Sequence, residues 1–246
     1  MLPSPRESAL QLRFSTPEHL PGERWGQAFL RRMRPGFVLK TVGISTFMWL
    51  FFIGYFALLR RPGLEASVMP LTALDAAVPF TPWSLWVYLS LWFYVGIPAG
   101  LAPNLRALLA YGAWSAGLAI VGLLCFWLWP TQVPLGLAPA DAARHAGFAL
   151  LQGVDASGNA CPSMHVASAV FAACWVHHIW RRMGAGPGVL VFNAVWAGAI
   201  VWSTLATKQH VALDAVAGTA LALVFAAAAL RAPARSIAPE RTAPGA

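Results

Sequence analysis

The chain has 246 residues, of which 58% are hydrophobic and only 11% charged, and its mean hydropathy is +0.61. That composition excludes an ordinary soluble domain, because several apolar runs reach the length needed to cross roughly 30 Å of hydrocarbon. The formal net charge of +8 sits in short clusters beside those runs, Arg31, Arg32 and Arg34 among them, which suits anionic lipid and not nucleic acid.

In chain order, residues 1–36 read as a basic, polar cytoplasmic segment with no apolar core of its own, hence no cleavable signal peptide. Six helical spans follow, at about residues 37–59, 82–101, 105–129, 163–180, 189–205 and 211–230. Each must be helical, since lipid offers the backbone no hydrogen-bond partner. The first would be an uncleaved anchor. Pro98 interrupts the second, and the Cys161 motif opens the fourth instead of lying inside it, so five spans is the alternative count. Residues 232–246, rich in Ala, Pro and Arg, read as a disordered tail. The expected architecture is therefore all-α, a polytopic membrane protein with a six-helix membrane domain over residues 37–231.

Basic residues set the orientation. With the N-terminus inside, thirteen of the seventeen Lys and Arg lie on the cytoplasmic side, against Arg60, Arg61, Arg144 and Lys208 outside. Both termini are then cytoplasmic in a cell inner membrane, and His165 and His210 share the outward face. Tryptophans such as Trp83, Trp127 and Trp180 gather near span ends, as an interfacial belt requires. Cys125, Cys161 and Cys174 show neither paired metal-ligand spacing nor a disulfide framework. The outward stretch from about residue 130 to 160 is longer than most connections, which suits a segment that covers a site or chooses a substrate.

Two histidine motifs carry the chemistry. His210 and Asp214 are four residues apart and share a face at the start of the last span. A carboxylate bonded to one imidazole nitrogen fixes the tautomer and leaves the other nitrogen as base or nucleophile. Lys208 adds a positive charge two residues earlier. In Cys161-Pro162-Ser163-Met164-His165, Pro162 and Ser163 suit the start of a helix, where a phosphate meets unsatisfied amides and the Ser163 hydroxyl. His165, within the first turn, could protonate a leaving oxygen.

These residues resemble the type 2 phosphatidic acid phosphatase superfamily. Pro162 to His165 looks like its Pro-Ser-Gly-His motif, and Ser203 through His210 to Asp214 like its Ser-Arg-x5-His-x3-Asp motif. The stretch from Met69 through Asp75 to Pro82, with the aromatic run to Tyr94, is similar to the branch of inositol phosphorylceramide synthases. The resemblance implies a six-helix bundle and metal-independent phosphoryl transfer with no cofactor. His210 would become phosphohistidine, Asp214 would orient it, and His165 would protonate the leaving alcohol. Ser163 and Lys208 would hold phosphate oxygens, with Arg144 a further candidate, and water or a second alcohol would take the phosphoryl group from the lipid phosphate substrate.

The motifs also depart from the pattern. Thr204 stands where the superfamily usually has a phosphate-binding arginine, Met164 replaces the glycine, and no Lys-x6-Arg-Pro element precedes the first motif. Several readings stay open: a prenyl or sugar phosphate as substrate, a facial triad of His165, His210 and Asp214 around a metal, or a transporter or binding protein on the same scaffold. His145, His177 and His178 read as interfacial residues, and Asp75 as a helix cap or turn.

Overall fold

The computed structural model describes residue 20 and residues 22–60, 64–139, 142–145, 147–148 and 158–231. The expected tail at 232–246 and, of the basic segment expected at 1–36, residues 1–19 and 21 lie outside the described residues. Ten helices carry the described chain: α1 (Trp25–Met33), α2 (Phe37–Arg60), α3 (Ala73–Ala77), α4 (Ser84–Leu89), α5 (Leu91–Tyr94), α6 (Ile97–Gly100), α7 (Leu105–Leu128), α8 (Met164–Arg182), α9 (Pro187–Ala206) and α10 (Ala212–Arg231). A 3-10 turn covers Ala142–Arg144, and two-residue strands β1 (Ser67–Val68) and β2 (Thr131–Gln132) pair in parallel just beyond α2 and α7.

Four helices, α2, α7, α9 and α10, are long and apolar enough to cross a membrane. The other two expected spans differ for separate physical reasons. The second is broken into α4, α5 and α6. Pro98 lacks an amide hydrogen and its ring crowds the carbonyl four residues back, that of Tyr94, where α5 ends. Ser90, at the other break, turns its hydroxyl back onto the Val87 carbonyl at 2.6 Å. α8 is continuous, and its 19 residues make about 28 Å at 1.5 Å each. It is less apolar because it is packed by protein on both sides.

That central place follows from the spacing of its residues. Ala167, Phe171 and Trp175 line one side against Tyr111 and Leu118 of α7 and Ala222 and Ala226 of α10. Ala169, Ala172, Val176 and Trp180 line the other against Leu91, Tyr94, Ile97 and Ile200. Gly218, Ala222 and Ala226, four residues apart in turn, give α10 a small-residue seam. A Cβ on Gly218 would lie 2.4 Å from the Ser163 carbonyl oxygen, so α10 and the start of α8 touch backbone to backbone.

Sequence reading left α1 unassigned. Its Ala28 is fully buried, and Trp25 meets Trp180 edge-on at 5.4 Å. Lys40 of α2 is buried and donates to the carbonyls of Arg32 at 2.8 Å and Gly100 at 2.7 Å, tying α1, α2 and α6 together.

Candidate active site

Helix α8 begins where the chain crosses the N-terminal end of α10. Ser163 caps it, its hydroxyl accepting from the Val166 amide at 3.2 Å while its own amide donates to the Asp214 carbonyl at 2.9 Å. The amide expected to meet phosphate is thereby spent on α10, and Ser163 is fully buried as a structural cap. Its contacts with Asp214 and Gly218 of α10 set the histidine of one motif against the histidine of the other.

Four side chains then form a line. Asp214 Oδ2 lies 3.2 Å from His210 Nδ1, His210 Nε2 lies 3.2 Å from His165 Nδ1, and His165 Nε2 lies 2.6 Å from the Tyr88 hydroxyl. Asp214 and Tyr88 are buried, and His210 is 6% exposed. The Tyr88 ring lies against His165 with centroids 4.8 Å apart, and Trp92 meets the same imidazole edge-on at 5.9 Å. Sequence reading missed Tyr88 and Trp92 as site residues. The signal was a tyrosine inside an apolar aromatic run, since a buried phenol needs a partner.

The return turn that presents His210 is built from α9. Thr204 turns its hydroxyl onto the Val201 carbonyl, and its own carbonyl accepts from the amides of Gln209 and His210, each at 3.2 Å. So the buried residue at the usual arginine position closes the turn. Lys208 lies in the left-handed region at φ 59°, which a non-glycine residue seldom adopts. Its ammonium donates to the carbonyl of Asp75 at 3.1 Å and, more closely, to that of Val78. Burial pushes that ammonium below its ordinary pKa, with Asp75 working in the opposite direction.

Asp75 serves two helix starts at once. One oxygen accepts from the Thr72 amide and hydroxyl, each at 2.7 Å, and the other from the Ala212 amide at 2.7 Å, at the first residue of α10. Burial acts to raise its pKa, but these hydrogen bonds and the Lys208 charge outweigh it and hold the carboxyl below the usual range. The cap expected of Asp75 is thus a cap for the catalytic-motif helix as well as its own.

Arg144 stands apart. It is exposed on the 3-10 turn, with no hydrogen bond or ion pair to another described residue. The same segment carries Phe148, which is fully buried against Leu85 and Tyr88. His145 packs near Phe80 at 5.9 Å and away from the paired histidines.

A cavity of about 790 Å³ opens beside this line and reaches His165, His210, Tyr88 and Trp92. The arrangement can take a proton relay along the four residues, or accept a phosphoryl group at the imidazole nitrogen of His210 that Asp214 does not occupy.

No curated protein and no solved structure matches the chain. The family described as the PAP2 superfamily matches residues 63–228, which include both histidine motifs, Asp75 and Tyr88. The chain belongs to the PAP2 superfamily, and its chemistry is of the phosphatase type, on phosphorylated substrates.

Proposed function

We propose that the chain is a membrane lipid phosphatase or phosphotransferase that works through a phosphohistidine on His210, on the outward face of a cell inner membrane. The observation that carries this reading is the hydrogen-bonded line from Asp214 through His210 and His165 to Tyr88. Asp214 holds the proton on His210 Nδ1, so Nε2 keeps its lone pair. Nε2 attacks phosphorus, the bond to the leaving oxygen breaks, and His165 gives that oxygen its proton. Water or an alcohol then attacks phosphorus, returns a proton to His165, and breaks the nitrogen–phosphorus bond. Water makes the protein a phosphatase. An alcohol makes it a transferase, as in the inositol phosphorylceramide synthase-like branch.

Phosphate oxygens need donors, and the first-turn amides of α8 have no partners within their own helix. Ser163 contributes by holding the start of α8 in place, and Lys208 through the ammonium hydrogen not held by Asp75 and Val78. Arg144 would reach the substrate from the 142–148 segment. Counting α8 and the broken 84–100 segment with the four apolar helices gives six crossings and cytoplasmic termini, the arrangement that the distribution of Arg and Lys supports.

Purified protein in EDTA, offered phosphatidic acid and related lipid phosphates, should release phosphate or exchange headgroups and form an acid-labile phosphoprotein. His210→Ala should abolish both. Activity that disappears with chelator, or labelling that survives His210→Ala, overturns the reading.

A further inference from the structure

Phosphate presents acceptors and needs donors, and the three side chains proposed above for it are largely committed elsewhere. The Ser163 amide and hydroxyl serve the joint between α8 and α10, Lys208 holds the Asp75 and Val78 carbonyls, and Arg144 is exposed on its turn. None of the three is among the described residues that line the cavity beside the histidines. Thr204, at the usual arginine position, is spent on its own turn. Away from the histidines the wall is an apolar groove with Phe47, Phe51, Phe52 and Leu108 along it, which offers phosphate nothing.

One side-chain amide stands in that wall, Asn159, six residues before His165. Its backbone is clamped onto β2 from both sides. Gly158 bridges Gln132, the Ala160 amide donates to the Thr131 carbonyl at 3.2 Å, and the Cys161 amide donates to Thr131 Oγ1 at 2.8 Å. Between these ties Asn159 takes φ 53°, a left-handed position that asparagine tolerates better than most side chains. It is 6% exposed, and its Nδ2 donates to the Tyr55 carbonyl of α2 at 3.0 Å. A carbonyl can only accept, so this bond decides which way the amide is turned. The second Nδ2 hydrogen has no acceptor among the described residues. A buried amide held at backbone and side chain, with one donor still to place, is preorganised for an acceptor brought by a ligand.

Resting on the phosphohistidine reading, we propose that Asn159 is a further catalytic residue, whose second amide hydrogen is donated to a non-bridging oxygen of the phosphoryl group as that group passes to His210 Nε2. No bond to Asn159 is made or broken. The equatorial oxygens carry the charge of an in-line transfer, and a donor fixed before the reaction stabilises them without having to reorganise. The amide takes the place of the arginine that Thr204 replaces, with a neutral donor where a cation is usual.

The test compares the full chain with Asn159→Gly and Asn159→Asp, in vesicles with phosphatidic acid and, without substrate, by calorimetric titration with orthovanadate, a mimic of the phosphoryl group in transfer. Glycine suits φ 53°, so Asn159→Gly removes the amide without straining the backbone. It should lower kcat roughly a hundredfold with KM nearly unchanged, the scale on which loss of one preorganised donor acts, and weaken orthovanadate binding about tenfold. Formation of the acid-labile phosphoprotein should slow in step with kcat. Asn159→Asp keeps the shape and also loses the tie to Tyr55, but it turns an acceptor on the phosphate oxygens, so it should fall well below the glycine variant in both readouts. A residue that only ties its loop to α2 would make the two variants equal. Equality, a glycine variant within about threefold of wild type, or an aspartate variant better than the glycine variant overturns the proposal. If orthovanadate binding follows the expected order but the wild type neither turns over lipid nor forms a phosphoprotein, the place of the amide at the phosphoryl group stands and the phosphohistidine reading falls.

Discussion

His165 uses both ring nitrogens, and this orders the protons along four residues. If the Tyr88 hydroxyl donates to Nε2, then Nδ1 carries the hydrogen that points at His210 Nε2, and His210 Nδ1 donates to Asp214. Each link then holds one proton and both imidazoles are neutral. On the proposed mechanism, one more proton makes His165 the acid while His210 Nε2 stays the nucleophile. Tyr88→Phe removes one hydrogen bond, about 0.5–1.5 kcal/mol, or roughly 2- to 13-fold in kcat. The sharper measure is a double-mutant cycle: in a His165→Ala background the same change should cost almost nothing, and an equal cost in both backgrounds would make Tyr88 merely structural. The sequence could reveal His165, His210 and Asp214 because spacing along one helix or one motif predicts a shared face. Tyr88 was hidden because its partner is 77 positions away.

At the scale of elements, α3 acts as a latch on the turn that presents His210. Asp75→Ala would leave the Ala212 amide without its acceptor, and loss of such a cap costs about 0.5–2 kcal/mol. The folded carboxyl titrates below its ordinary value. Its contribution is thus complete above the unfolded pKa of about 3.9 and is lost as pH falls through the lower folded value. The melting temperatures of wild type and Asp75→Ala should differ at neutral pH and converge in acid. A second element-level prediction concerns the seam of α10. Gly218→Leu would drive a side chain into the Ser163 carbonyl and part α8 from α10, so it should inactivate the protein, whereas Gly198→Leu, facing open space, should not. Reading apolar runs located α2, α7, α9 and α10 to within a few residues, since lipid-facing helices are apolar along their whole length. It fared worse with the 84–100 segment, because hydropathy does not register where a proline and a back-bonded serine break the ladder. It could not find α1 either, whose apolar face alternates with arginines.

For the whole molecule, the decisive question is which side of the membrane holds the histidine pair. Arg181 and Arg182 end α8, Arg231 ends α10, and Arg106 opens α7, whereas β1, β2 and the His165–His210 pair lie at the opposite ends of these helices. Moving this many guanidinium groups outward would place them against the potential and the lipid asymmetry that hold basic loops inside. The turn between α8 and α9 should then be cytoplasmic and the segment after α2 external. In a variant with Cys125, Cys161 and Cys174 replaced by serine, Glu65→Cys should react with a membrane-impermeant maleimide on intact cells. Gly186→Cys should react only after the membrane is opened. Both positions are exposed, so accessibility and not burial decides the result. The reverse pattern would turn the histidines toward the cytoplasm and make the substrate an inner-leaflet lipid, while leaving the line of four residues and the apolar groove as they are.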